Sequence, residues 1–192
     1  ASVARDFQSI TDSPHYEIRV VSAENPDNGA CANAQTIIIA GIIGKHAYID
    51  DCCAKKILNV DTVKNKRECY KITVHEDNGK TLIIVAGSDV LGAEYGLLKL
   101  SSLAGVSPWH YWADVKPGKR KEIRIARREL EIESSEPAIK LRGFFLNDEF
   151  PSLGNWVLST FGGFNEKFYE KVFDLLLRLR GNFLWPAMWT GV

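Results

Sequence analysis

The sequence has no excess of charge of either sign: 24 Lys and Arg stand against 24 Asp and Glu. A chain with zero formal charge carries no overall field toward nucleic acid or an anionic membrane, so neither is expected as a partner and any ligand has to be recognised locally. It also lacks a run of about 18 apolar residues. Ala1 to Ile10 has none of the basic and apolar blocks of a secretory leader, so a soluble chain is expected, one that can already have been processed. Cysteine is scarce. Cys31, Cys52, Cys53 and Cys69 show no C-x-x-C spacing, which argues against a metal centre, and sequence neighbours such as Cys52 and Cys53 rarely bridge to each other. Buried thiols are expected. Because four cysteines fit either reduced thiols or up to two disulfides, the compartment stays open between secreted or periplasmic and cytoplasmic. Gly-x-Ser-x-Gly, P-loop and His-Glu-x-x-His signatures are missing. Ala40-Gly41-Ile42-Ile43-Gly44 faintly resembles a dinucleotide-binding turn but lacks the full G-x-G-x-x-G. No cofactor and no metal are expected.

What is present is ordinary globular composition, with 45% hydrophobic and 25% charged residues, enough to build a sizeable core. At 192 residues the chain exceeds the usual domain of ~100–150 residues, so one domain plus part of another is expected. Tyr16 to Ser22 alternates apolar and polar residues as a half-buried strand does, and the turn-rich Glu24 to Gly29 follows. Thr36 to Ala40 is a continuous β-branched run closed by glycine, the pattern of a strand buried on both faces. Cys69 to His75 and Thr81 to Ala86 flank Glu76-Asp77-Asn78-Gly79, and Asn-Gly supplies the positive φ of a tight hairpin. Ser88 or Asp89 caps a helix from Val90 to Leu103 with Leu91, Tyr95, Leu98 and Leu103 on its apolar face, stopped by Gly105. After the aromatic Val106 to Val115, Lys121 to Ala126 returns to strand alternation. Seven Lys or Arg and one Glu lie between Lys116 and Arg128, and the alternation of Glu122 and Arg124 with Ile123 and Ile125 makes this the solvated face of a strand rather than a ligand patch. A first α/β domain with a mixed sheet is expected over 1–137.

From 138 the pattern changes. Leu141 to Leu146 reads as a short apolar strand. Asn165 caps an amphipathic helix from Glu166 to Arg180, with Phe168, Val172, Phe173, Leu176 and Leu179 on one side and Gly181 as its C′ residue. Asn182 to Trp185 opens a second strand. Such a βαβ unit needs further parallel strands to cover its edges, so 138–192 is expected to begin an incomplete (β/α)8 barrel. Ligands of such sheets bind at the C-terminal ends of strands. Asn147, Asp148 and Glu149 stand there, and one amide with two carboxylates suits a hydroxyl-rich ligand, although the same residues can form a solvated Asx-turn. Trp185 and Trp189, at and past the end of the second strand, can stack on a sugar face or pack in a core. Trp109 and Trp112 divide evenly between the same two roles.

Four segments in this order and spacing carry a family resemblance: Ala86-Gly87-Ser88-Asp89 leading to Tyr95-Gly96, Gly105 to Val115, Arg142 to Glu149, and Phe161 to Trp189. Over about Leu82 to Val192 the chain resembles the xylan α-1,2-glucuronidases of glycoside hydrolase family 115. The resemblance implies a multidomain enzyme that removes α-1,2-linked (4-O-methyl)glucuronic acid from xylan with inversion, with xylan or a glucuronoxylo-oligosaccharide as partner and a homodimer of the complete enzyme as one assembly open to it. It implies an N-terminal α/β domain followed by a barrel whose first strand is Leu141 to Leu146, with Asn147 and Asp148 around the uronate sugar and Trp189 near it. Where the family often has an aromatic residue this chain has His110, and where it often has a proline this chain has Lys116. An inverting glycosidase holds its acid and base roughly 6.5–9.5 Å apart. Adjacent Asp148 and Glu149 diverge from a strand end, so the pair is expected beyond Val192 and this chain supplies substrate contacts. A non-catalytic carbohydrate-binding or interaction module is the alternative, and a small nucleotide-binding α/β protein the third.

Overall fold

The computed structural model describes residues 2–11, 33–147 and 151–186. The expected strand Tyr16 to Ser22, the turn at Glu24 to Gly29 and Cys31 lie outside the described residues. In chain order the elements are helix α1 (Ser2–Ile10), β1 (Thr36–Ile42), α2 (Ala47–Ala54), β2 (Tyr70–Asp77), β3 (Lys80–Gly87), α3 (Val90–Leu103), β4 (Ile132–Glu133), β5 (Gly143–Phe145), α4 (Ser152–Phe161), α5 (Glu166–Arg178) and β6 (Phe183–Trp185). They form a mixed α/β structure around a four-stranded sheet of order β1-β3-β2-β4, with β1 parallel to β3 and β2 antiparallel to both its neighbours.

The hairpin is where the sequence placed it. Asn78 (φ 49°) and Gly79 (φ 78°) take the two left-handed positions of the reversal, and Asp77 pairs with Lys80, the backbone twist that suits a two-residue connection. β3 is covered on both faces: Leu82, Ile84 and Ala86 pack with Ile49, Cys52 and Val63 on the α2 side, while Val85 packs with Tyr70, Ile72, Tyr95 and Leu100 under α3. The expectation that Thr36 to Ala40 is buried on both faces is not met. β1 has β3 as its one partner strand among the described residues, and Ile38 is 38% exposed, so among those residues the β-branched run stands at the edge of the sheet.

Asp89, and not Ser88, caps α3, its Oδ1 accepting from Gly92 N at 2.7 Å. The Ser88 hydroxyl instead accepts from Cys69 N at 2.9 Å. Tyr95 and Leu98 are buried as expected, and Leu100 joins them. Lys121 to Ala126 is a correction: the segment keeps the expected alternation, with Ile123 and Ile125 packed on Ile10, Ala104 and Val106, but it belongs to no sheet. Its apolar side meets the ends of two helices, where no strand offers a ladder. All seven basic residues from Lys116 to Arg128 are exposed, and Arg124 pairs with Glu122 at 2.8 Å.

β5 and β6 pair in parallel, Gly143 opposite Phe183 and Phe145 opposite Trp185, and α5 connects them. Asn165 caps α5 as expected, its Oδ1 accepting from Lys167 N at 3.0 Å and Phe168 N at 3.3 Å. The other end differs. The helix stops at Arg178, Arg180 takes the left-handed position (φ 59°), and Arg180 N and Gly181 N donate to Leu177 O and Leu176 O at 2.9 and 2.7 Å, the two bonds of a Schellman end. Gly181 is therefore one residue past C′. It is glycine because a Cβ there would collide with Leu176. On α5 the buried residues are Phe168, Val172, Leu175 and Leu176, while Phe173 and Leu179 are 46% and 43% exposed. The stripe thus runs i, i+4, i+7, i+8, and Phe173 falls beside it. The helix packs on Phe144 and Leu184. Phe183, next to Leu184 on β6, points the other way. Helix α4, which the sequence reading did not anticipate, completes this cluster through Val157, Leu153 and Phe161.

Candidate functional site

Along β5 and β6 side chains alternate between two faces. Phe144, Leu146 and Leu184 point toward α4 and α5 and pack with Phe168 and Val157. Phe145 and Trp185 point the opposite way. They are 47% and 51% exposed and meet edge to face, their ring centroids 5.4 Å apart at 62°. The ladder runs to the strand ends, where Leu146 N donates to Trp185 O at 2.8 Å. Asn147 follows, exposed, in the period-two position that continues the Phe145 face. An indole, a phenyl ring and an amide at one strand end can stack on an apolar sugar face and exchange hydrogen bonds with hydroxyls. Asp148, Glu149 and Trp189 lie outside the described residues. Phe145 was not among the candidates, although the alternation within Arg142 to Leu146 was enough to put it on this face.

Trp109 stands elsewhere. It is 45% exposed and with Trp112, Phe144, Leu146, Val172 and Leu175 lines a groove of about 250 Å³. Phe144 and Leu146 belong to the helix-facing side of the sheet, so the structure does not bring Trp109 onto the face of Trp185. Trp112 is a packing residue: its Nε1 donates to Lys171 O at 3.2 Å, and its ring meets Phe168 and Trp156 at 6.2 and 5.7 Å.

The three thiols among the described residues are poor candidates for a nucleophile. Burial is the main influence raising Cys52, Cys53 and Cys69, and a thiol held protonated reacts slowly. All three are free, Cys52 and Cys69 buried and Cys53 half-buried. Burial, with Cys52 beside it, likewise pushes the Tyr48 hydroxyl up to about 12. Tyr48 lines a second cavity, of about 310 Å³, with Ile37, Ile39, Asp77, Asn78, Lys80 and Leu82. Among the described residues no group of His, Cys, Asp or Glu could hold a metal ion.

The faint dinucleotide turn can be tested directly. Gly44 does turn with positive φ (79°), but its N–H donates to the Asp50 carboxylate at 2.7 Å. An acidic group thus sits where a phosphate would have to dock. Gly41 is glycine because a Cβ would lie 2.5 Å from the His46 ring, a packing reason with no ligand in it.

The model of glycosyl hydrolase family 115 matches residues 134–192. A solved structure described as a family GH115 4-O-methyl-α-glucuronidase with specificity for decorated arabinogalactans superposes with a TM-score of 0.72 and 32% sequence identity, covering 97% of this chain and 22% of that one. No curated protein matches the chain. The chain therefore spans about a fifth of the length of the glucuronidase it superposes on. The family match falls on the β5–α5–β6 unit and the structural match extends over the first sheet as well, so the chain is similar to glycoside hydrolase family 115 proteins in both parts.

Proposed function

We propose that the chain is the N-terminal part of an inverting α-glucuronidase that removes α-1,2-linked (4-O-methyl)glucuronic acid from a decorated polysaccharide. In this reading 1–137 is an accessory α/β domain, and 138–192 supplies the first two strands of a (β/α)8 barrel. The observation that carries it is the β5–β6 pair itself. Two parallel strands are covered by helices on one face and leave Phe145 and Trp185 open on the other, with Asn147 at the C-terminal end. Such a face needs further parallel strands, and its C-terminal rim is where an α/β barrel binds substrate. Asn147, Asp148 and Glu149 then hydrogen-bond the uronate sugar, Trp185 and Trp189 stack against it, and Trp109 serves the wall behind. The general acid and base come from later strands.

The sugar removed is what a xylan substrate and the decorated arabinogalactans of the superposed enzyme have in common. The complete protein should therefore be assayed on glucuronoxylan and on a uronate-decorated arabinogalactan, with the product followed by proton NMR. Inversion at an α-linkage makes the β-anomer the first product. Release from neither polymer, or an α-anomer formed first, would overturn the proposal. Asp148→Asn and Asp148→Ala test the site: losing a charged hydrogen bond worth about 1.5–3 kcal/mol lowers kcat/KM roughly 10- to 150-fold. Unchanged kinetics would make Asp148 a turn residue. The 192 residues alone should release little or no uronic acid, since two strands do not enclose a site.

A further inference from the structure

The two strands of the candidate site are joined at their N-terminal ends to a single carboxylate from the turn that leads into β2. Glu68 is 3% exposed and holds φ at 57°, a left-handed backbone that a residue with a Cβ rarely adopts. Asp89, the α3 cap, holds it there, its Oδ2 accepting from Glu68 N at 2.8 Å. One oxygen of the Glu68 carboxylate accepts from Asn182 Nδ2 at 2.7 Å. The other forms an ion pair with the Arg142 guanidinium. Arg142 immediately precedes β5 and Asn182 immediately precedes β6.

These two residues also bond each other. Arg142 N donates to Asn182 Oδ1 at 2.9 Å, while Asn182 N and Phe183 N donate to Arg142 O at 2.8 and 3.0 Å. The Arg142 guanidinium further donates to Arg180 O at 2.8 and 3.0 Å. The strands beyond this knot have only three residues each, so their own ladder does little to fix how they are paired. Register matters here because side chains alternate with period two. A slip of one residue would turn Phe145 or Trp185 from the open face to the helix face.

We infer that Glu68 is a positioning residue: by gripping Arg142 and Asn182 together it sets the register of β5 against β6, and so the orientation of Phe145, Asn147 and Trp185. Its bearing on catalysis rests on reading that face as the sugar site. A buried carboxylate that only stabilised the fold would be dispensable to the geometry of the folded molecule, and hydrogen exchange separates the two cases. Glu68→Gln keeps the side chain's shape and an acceptor for Asn182 but turns an amide N–H toward Arg142. Asn182→Ala leaves the ion pair and frees β6, so it stands in should the first variant not fold.

In the complete protein, amide exchange at Leu146 and Phe183 should quicken about tenfold or more, the effect of one lost charged hydrogen bond, while the β2–β3 hairpin exchanges as in wild type. kcat/KM on a uronate-bearing oligosaccharide should fall by a similar factor at a temperature where the circular dichroism is unchanged. Unchanged exchange in β5 and β6, or an equal rise in the hairpin, would overturn the register role. Wild-type kcat/KM beside faster local exchange would overturn its part in catalysis. If the wild-type protein releases no uronic acid, the sugar-site reading fails while the exchange data still decide the register.

Discussion

Arg178 of α5 sits between two carboxylates, with a side chain only 4% exposed. It forks onto Asp6 of α1, Nη1 to Oδ2 at 2.8 Å and Nη2 to Oδ1 at 3.0 Å, and its Nε donates to Asp174 at 2.7 Å. Burial alone, the largest single influence, pulls its pKa down, but the bonds from Asp6 and Asp174 together outweigh it and leave the guanidinium held above its usual range. Arg178→Met fills the same space and strands the Asp6 carboxylate, itself 8% exposed. Breaking a buried pair from one side costs about 3–5 kcal/mol. At a urea slope near the top of the usual ~1–3 kcal/mol/M, the midpoint should drop by roughly 1–2 M. Adding Asp6→Leu removes the stranded charge, and Asp174, 28% exposed, can turn to water. The double variant should then regain most of the loss, because apolar replacement of a whole buried pair is often neutral or stabilising. Urea unfolding of the 192-residue chain followed by circular dichroism measures both variants. A single-variant loss below about 1 kcal/mol, or a double variant no better than the single, would refute the reasoning.

Leu176, 5% exposed on α5, should lose ~2–5 kcal/mol on change to Ala in the same unfolding assay, and a loss below about 1 kcal/mol would take it out of the core. Asn165→Ala removes the acceptor for Lys167 N and Phe168 N and the donor to Phe161 O, so a loss of about 0.5–2 kcal/mol is expected, against a few tenths for Asn165→Gly, and an Ala variant as stable as wild type would show that the cap contributes little. Tyr48 titrates near 12 when folded, against 10.0 for an ordinary tyrosine. The folded state keeps that proton while the unfolded chain gives it up, so the contribution of Tyr48 is intact below pH 10 and is lost as pH rises toward 12. Burial raises Tyr70 and Tyr95 as well, so a spectrophotometric titration at high pH should show several late phenols, one of which disappears in Tyr48→Phe, and an unchanged curve in that variant would refute the assignment.

What the sequence made legible was local. Asn78-Gly79, Asp89 and Asn165 act through groups one to three residues away, and each sits where turn and capping chemistry put it. The misreadings came from longer range. β1 reads as buried on both faces, yet Ile38 is 38% exposed, because β-branched density does not record what covers each face of a strand. The end of α5 moved because Arg180 is held in a left-handed turn by distant partners: its guanidinium stacks over Tyr70 and Tyr95 at 5.6 Å each. Helix α4 has Leu153, Val157 and Phe161 at helical spacing, but its internal Gly154 and the lack of a side-chain N-cap weaken the signal, and only Gly162, at φ 79°, marked an end. The Glu68 knot joins residues 74 and 114 positions apart, and no local pattern announces it.

The open face of β5 and β6 carries two demands that the strand geometry separates. Stacking on a sugar requires exposure in the finished protein, whereas an aromatic inside a barrel requires burial. Phe183 begins β6 and Trp185 ends it, one pleat apart on the same face, at 42% and 51% exposure. In the proposed barrel, where further strands close around that face, the residue nearest the Glu68 end becomes interior and the residue at the C-terminal end stays at the mouth. On that proposal Phe183 is a core side chain, and Phe145 and Trp185 are ligand contacts. In the complete protein Phe183→Ala should act on stability and Trp185→Ala on KM. If instead Trp185→Ala lowers stability by the ~3–5 kcal/mol of a buried aromatic and leaves KM alone, this indole belongs to the barrel core and the sugar must be held by other groups.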